Sequence, residues 1–445
     1  MASAAQQLAA NMNFGSFAKA KELQQRILFT IGILILYRVG TYVPVPGIDP
    51  TRYAAMFDQN SQGILSMFNM LGGGAVERMA IFALNVMPYI SASIIMQLMS
   101  ATIPSLEKLK KEGGEAGRKQ INQYTRYLTV LLATGQALAI AVGMNSIDPN
   151  TGQALAVNPG LFFLVSTVTT LVGGTMLLLW LGEQITARGI GNGVSLIIFA
   201  GIIAAVPSLI GGAFAAAESG TLSGGVFLGG VALVLAGLTL VVFVERSQRR
   251  LLVQYPKRQQ GNRMMGGESS FLPLKLNTAG VIPPIFASSL LFMPQTMASF
   301  NTQAASGPLA NIIAYLQAGS PTFLIVYAAM IIFFCFFYTS VVFNPEDTAD
   351  NLRKYGGFLP GIRPGKRTAE YLDYVLSRLT LIGALYLTLI CVVPMMISPN
   401  TALGGTSILI VVSVTMDTIS QIQSHLLAHQ YEGLIKKSKL RGRKR

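Results

Sequence analysis

"TVLLATGQALAIAVGMNSIDPNTGQALAVNPGLFFLVSTVTTLVGGTMLLLWLG", residues 129–182, contains no lysine or arginine and a single acid, Asp148. Two apolar runs flank the polar, turn-rich break NSIDPNTGQ. Crossing a hydrocarbon core about 30 Å thick takes about 20 helical residues, and each run supplies that length. The stretch reads as a helical hairpin that crosses a bilayer twice, bounded by Arg126 and Arg188.

The same pattern recurs. No Lys or Arg occurs between Arg188 and Arg246, between Lys275 and Arg353, or between Arg378 and Lys436. Turn-rich breaks again split each gap: GGAFAAAESGTLSGG, SFNTQAASGP and SPNTALGG. Four hairpins give eight spans, and the apolar stretches 27–43 and 79–103 add two more. The expected fold class is an all-α polytopic membrane protein with ten transmembrane helices. Composition agrees: 51% of the 445 residues are hydrophobic and 12% charged, about half the charge of a soluble domain.

The formal charge of +14 comes from 33 basic against 19 acidic residues. Basic residues concentrate in cytoplasmic loops. That rule puts loops 104–120, 184–191, 246–275 and 344–370, and both termini, on the cytoplasmic side. Arg38, Arg52 and Arg78 are the exceptions, on or near the outer side. The stretch 27–43 lacks a small-x-small cleavage pattern and is expected to stay as the first span. Cys335 and Cys391 sit in apolar runs outside any CxxC motif and read as lipid- or core-facing thiols. No short repeat is visible, although ten spans can divide as five plus five of opposite orientation.

Several function classes are disfavoured. Carriers hold ions or protons on charged residues at mid-membrane depth. Here Arg38, Glu183, Glu245, Asp373 and Arg378 lie at span ends, and Asp417, the deepest acid, reads as bonded to neighbouring hydroxyls. GIGNG, residues 189–193, lacks the strand and acid of a phosphate loop and reads as a tight turn. His425, His429 and Glu432 share a helix face, but an interfacial helix explains them as well as a metal does. No nucleophile–base pair is present, so no enzyme and no cofactor are expected.

Two features remain. Within SQGILSMFNMLGGGAVERM, residues 61–79, the apolar part 64–71 would make only about 12 Å of helix. It is too short to span and is followed by three glycines. The second and seventh spans carry Pro88 and Pro283–Pro284, which are expected to kink them. Small residues flank each site (Ser91, Ala92 and Ser93; Ala287, Ser288 and Ser289), as in a seam that opens.

Taken together, MPYISASIIMQL, WLGEQITARGIGNGVSLIIFAGI, VERSQRRLLVQYPKRQQG, GVIPPIFASS, FFCFFYTSVVFNPEDTADNLRK and GFLPGIRPG resemble the bacterial SecY proteins. The likeness runs from about residue 26 to 436. It implies two pseudo-symmetric five-helix halves around a central pore, 23–210 and 211–425. A cytoplasmic segment 1–22 and a basic tail 426–445 flank them. It implies a lateral gate between spans two and seven, at Pro88, Ser91, Pro283, Pro284 and Ser288. A re-entrant plug helix over about 62–72 would bury Ile64, Leu65, Met67, Phe68 and Leu71, with Gly72, Gly73 and Gly74 as its hinge. Val86, Ile90, Val194, Ile198, Ile285 and Ile410 match the family's pore ring; 86/90 and 194/198 each share a helix face.

The resemblance further implies docking of a SecA motor or of ribosomal RNA phosphates. The residues concerned are Arg246, Arg249, Arg250, Lys257, Arg258, Arg263, Arg353, Lys354, Arg363, Lys366 and Arg367. Other implied partners are SecE-like and SecG-like subunits, signal-bearing preproteins, the lipid bilayer and an accessory membrane-protein insertase. The implied setting is the bacterial cytoplasmic (inner) membrane. The sequence departs from relatives at Asn262, commonly basic, and at Pro284, often a small residue.

Overall fold

The computed structural model describes residues 20–49, 52–54, 57, 69–145, 156–219, 224–255, 258–260, 263–265, 269–299, 320–397 and 404–442. Helices dominate. In chain order they are α1 (Lys21–Gly40), α2 (Met87–Thr102), α3 (Pro104–Glu112), α4 (Gly114–Asn145), α5 (Leu161–Arg188), α6 (Gly193–Glu218) and α7 (Gly224–Arg246). After a stranded insertion come α8 (Ile282–Ser299), α9 (Pro321–Val342), α10 (Pro345–Lys354), α11 (Lys366–Ile397) and α12 (Gly405–Gly442). Among the described residues, seven helices are long and apolar enough to cross a membrane alone, and α2 with α3 forms a further pair bent by 101°. Three of the expected hairpins coincide with pairs of these helices, α4–α5, α6–α7 and α11–α12; in the fourth, α9 has span length and α8 contains only the shorter apolar helix Ile282–Leu291.

Helix starts follow local chemistry. Asn192 caps α6 by accepting from the Ser195 N–H, and Ser320 caps α9 by accepting from the Phe323 N–H at 3.1 Å. On α10, Asn344 caps a first turn carrying Glu346 and Asp347, while Arg353 and Lys354 occupy the last turn. That arrangement complements the helix dipole at both ends.

Three expectations need correction. Pro88 does not kink a span: residues 81–86 are turns, and Pro88 sits in the first turn of α2. Pro283 and Pro284 likewise open α8. First-turn N–H groups have no intrahelical acceptor, so proline there removes no helix bond. Second, the segment 246–275, expected only as a basic loop between spans, carries strands. It contains β1 (Gln248–Gln254) antiparallel to β4 (Ser269–Lys275), and β2 (Arg258–Gln260) antiparallel to β3 (Arg263–Met265). Along β1, Arg249 and Arg250 are exposed while Leu251 and Val253 turn inward, the period-two pattern of a half-buried strand. Third, Asp417 is exposed on α12, and no hydroxyl bonds it among the described residues. The neighbouring Thr415 and Thr418 donate instead to their own helix carbonyls.

The main core joins α1, α2, α5, α6, α8, α9, α11 and α12 through residues such as Tyr37, Ile94, Leu178, Ile197, Phe286, Ile331, Leu387 and Leu409. A second cluster packs Tyr53, Phe57, Met79 and Leu84 against Ala133, Met144 and Leu171. Large side chains including Phe162, Phe243 and Ile325 are exposed on the outside of the helices, as expected where the solvent is lipid.

Candidate pore and gate

The loop between α1 and α2 and the starts of α2 and α8 meet α6 and α12 at the centre of the molecule. Leu71, Asn85, Val86, Met87, Ile90, Ile198, Ile285, Ser288, Thr406 and Ile410 line one cavity there. Its free volume for a water centre is about 20 Å³, room for about one water. Five of the six ring positions implied by the resemblance therefore line one small cavity, the candidate waist. Val194 does not line it; one turn before Ile198 on α6, it packs against Gly182 of α5.

The polar groups at the waist are mostly occupied elsewhere. Thr406 Oγ1 lies 3.0 Å from the Tyr327 hydroxyl, and Ser288 donates to the Ile285 carbonyl of its own helix at 2.9 Å. Asn85 Nδ2 donates to the Leu71 carbonyl at 2.8 Å. What faces the cavity is chiefly branched aliphatic surface, which disfavours water and ions in a narrow passage.

α2 and α8 are in contact, and the expected gate residues are carried on these two helices. Pro88, Ser91, Pro283, Pro284 and Ser288 are all buried. Ser289 donates to the Ile285 carbonyl at 2.8 Å, as Ser288 does. Among the described residues no side-chain hydrogen bond crosses from α2 to α8.

Of the plug positions, Ile64, Leu65, Met67 and Phe68 lie outside the described residues. Asn69, Met70 and Leu71 are helical, and Leu71 reaches the waist. Gly72, Gly73 and Gly74 follow as a turn, with φ of +64° at Gly73 and +85° at Gly74.

The basic residues of segments 246–275 and 344–370 share a scaffold. Arg246, Arg249, Arg250, Arg353, Lys354, Lys366 and Arg367 are exposed, as is Arg363 in its turn. Arg258 and Arg263 lie on β2 and β3, and Lys257 is outside the described residues. Leu251, Val253 and Leu274 of the strands pack with Leu359, Leu372, Val375 and Leu379. Gln254 and Phe358 exchange two backbone hydrogen bonds of 2.9 Å. The two basic loops are thus one platform, a fact that their charge alone did not reveal.

Other candidates resolve into packing. Gly189–Gly193 is a turn pinned from both sides: Ile190 N–H donates to Thr30 Oγ1 at 3.1 Å and Gly191 N–H to Gln421 Oε1 at 2.9 Å. Glu183 forms a two-pronged ion pair with Arg126, the shortest contact being 2.6 Å. Among the described residues no cluster of His, Cys, Asp or Glu is arranged to hold a metal; His425 is exposed.

Comparison with known proteins agrees with this geometry. The SecY family model matches residues 80–419. A protein translocase subunit SecY from Rickettsia bellii is 53% identical over 436 residues, covering 97% of this chain and 100% of that one. This chain belongs to the SecY family. The Escherichia coli K12 SecY is 51% identical over 426 residues, covering 95% and 96% of the two chains. A solved protein-conducting channel shares the fold with a TM-score of 0.66 at 17% identity, covering 90% of this chain and 92% of that one. A SecY structure whose plug domain is described as stabilising the closed channel and maintaining a membrane seal gives 0.64, with the same coverage and identity. Within the SecY framework, Asn85, Thr406 and Met87 are waist residues that sequence reading passed over.

Proposed function

We propose that this multi-pass chain is the central, pore-forming subunit of a protein translocation channel in the bacterial inner membrane. The single observation that carries the reading is the small apolar waist closed by Val86, Ile90, Ile198, Ile285 and Ile410. Ten spans in two halves, 23–210 and 211–425, surround it, with Val194 backing the ring and both termini cytoplasmic. The plug helix over 62–72 fills the outer funnel: too short to span, it finds dry surroundings only inside the protein. An unfolded preprotein enters from the cytoplasm, the plug moves aside, and the branched side chains close around the extended segment.

The α2–α8 seam serves as the lateral gate. Leu, Ile, Phe or Val at a helix centre each favours lipid by about 0.3–0.6 kcal/mol, while a charge costs about 2.5–3.5. Summed over a span-length segment, that difference sorts apolar helices sideways without catalysis. SecE-like and SecG-like subunits brace the halves. The platform bearing Arg249, Arg250, Arg353 and Arg363 receives a SecA motor or ribosomal RNA phosphates. A related solved channel is described in a canine ribosome–channel complex from the endoplasmic reticulum.

The test is reconstitution with the small subunits and a motor in vesicles, supplied with a signal-bearing precursor. Protease protection of the precursor is expected. Energised vesicles with a competent motor and no protection would overturn the reading.

A further inference from the structure

The end of the plug helix is finished in an unusual way. The Gly74 N–H donates to the Asn69 carbonyl at 2.8 Å and the Gly73 N–H to the Met70 carbonyl at 3.1 Å, with Gly73 left-handed. This is a Schellman ending, and it satisfies two of the last helical carbonyls. Those of Leu71, Gly72 and Gly73 come next, at the negative end of the helix dipole. Three side chains from outside the segment meet them in order. Asn85 Nδ2 donates to Leu71 O at 2.8 Å, the Tyr37 hydroxyl to Gly72 O at 3.2 Å, and Arg38 Nη1 to Gly73 O. The Ala75 N–H also approaches Gly72 O, at 3.4 Å.

We propose that Tyr37, Arg38 and Asn85 are positioning residues that clasp the end of the plug and set how readily it leaves the waist. This rests on reading 62–72 as the plug.

Three further observations support the clasp. Arg38 and Arg78 break the inward sorting of basic residues, and both are gathered at the hinge. Their guanidinium carbons lie 5.1 and 4.2 Å from the Tyr42 ring centre, and Arg38 Nη2 donates to the Tyr42 hydroxyl at 3.1 Å. The aromatic ring thus holds the Arg38 fork on its target. Asn85 adopts φ +51°, a left-handed conformation that Asn tolerates better than most residues. Its Oδ1 is buried without a hydrogen-bond partner among the described residues. An acceptor left unsatisfied in this way is unfavourable, which suits a side chain retained for its donor. Finally, Gly201 on α6 lets the hinge approach: a Cβ there would collide with the Leu71 carbonyl oxygen.

Release of the plug breaks three donor contacts together, two neutral and one charge-assisted. The test uses the reconstituted complex in planar bilayers without precursor, and reads resting ion conductance. Tyr37→Phe keeps the ring stacked on Phe82, 6.0 Å away, and loses only the hydroxyl; Asn85→Leu loses the amide. Each should raise conductance about 5-fold and the pair about 25-fold, the factor that corresponds to a typical net hydrogen bond. Arg38→Met should exceed either, and Arg38→Lys should restore most of the closure. Deleting 62–72 should leak by itself, and in that background Tyr37→Phe and Asn85→Leu should add nothing. A leaky deletion with parental conductance in the single and paired variants overturns the clasp and leaves the plug standing. So does a leak that adds on top of the deletion. A deletion that does not leak overturns both.

Discussion

Two sides of the same waist are held by opposite means. On the hinge side, three side chains donate to three successive carbonyls and a glycine-rich helix end is tied to itself. On the seam side, Ser288 and Ser289 spend their hydroxyls on their own helix, and no hydrogen bond crosses to α2 among the described residues. Directional bonds define one geometry and are lost when it is left. Contact between small buried residues is non-directional, and lipid tails or a passing apolar helix replace it at little cost. In the channel proposed above, a stopper that sits in one place and a slit that admits many sequences call for that difference.

The largest expected effect comes from the surface both sides share. Ile198→Ser with Ile410→Ser removes apolar closure of about 2–5 kcal/mol per site and offers water two hydroxyls at the narrowest point. Resting ion conductance in reconstituted bilayers should rise by roughly 100-fold or more. Unchanged conductance would mean that the aliphatic ring is not the seal, and the comparison would lose its common boundary.

Next is a variant that strains the seam alone. Ser288 is buried on α8 and lines the cavity, so Ser288→Leu overfills the contact by about 1–3 kcal/mol. Since 1.36 kcal/mol is tenfold, transport of a precursor with a weakened signal should increase about 5- to 160-fold. The helix-end bonds on the opposite side are untouched. Unaltered transport of that precursor would argue that α2 and α8 do not part.

Gly201→Ala strains the hinge instead. The added methyl meets the Leu71 carbonyl, with the Tyr37 hydroxyl also near, at 3.1 Å. The methyl lies closer than 3.0 Å to that backbone oxygen, so the carbonyl must be pushed away from its donor, which should raise resting conductance about 5-fold, the equivalent of one net hydrogen bond. Transport of weak-signal precursors should rise less than in Ser288→Leu. A reversal of that order would collapse the distinction between the two sides.

How much of this was legible beforehand depends on range. Helix hairpins show in the spacing of Arg126, Arg188, Arg246, Lys275, Arg353, Arg378 and Lys436, because a span excludes charge over a fixed length. The aliphatics at 86/90 and 198, 285 and 410 have no local signal of a pore; the family resemblance singles them out, and only tertiary packing makes them meet. Pro88 was misread because an apolar stretch does not say where its helix begins: residues 81–86 are as greasy as α2 yet are turns. The β1–β4 platform was hidden because Arg249 and Arg250 drew attention to charge, while the alternation of Leu251 and Val253 is short. Asn85 had no signal at all, since its role depends on a left-handed backbone and an acceptor 14 residues away. Arg38, Arg52 and Arg78 stand out in the sequence as exceptions to the expected inward sorting, but nothing local says that Arg38 and Arg78 meet at Gly73 and Gly74.

The smallest expected effect tests whether position, and not polarity as such, distinguishes the two sides. Arg126 and Glu183 make the shortest ion pair among the described residues, bridging α4 and α5 far from the waist lining. Their side chains are 46% and 38% exposed, so water screens the pair and leaves it about 0.2–1 kcal/mol. Arg126→Ala should therefore lower thermal stability in detergent slightly and leave both resting conductance and weak-signal transport at parental levels. A hydrogen bond to the plug end is no stronger than this pair by geometry alone. Under the proposed clasp it acts on permeability because the bonded carbonyl belongs to the part that is proposed to move, whereas Arg126 and Glu183 join α4 to α5 and do not line the cavity. Should Arg126→Ala leak as Tyr37→Phe is expected to, the closed state would depend on general rigidity of the bundle, and the division between a latched side and a free side would have no mechanical meaning.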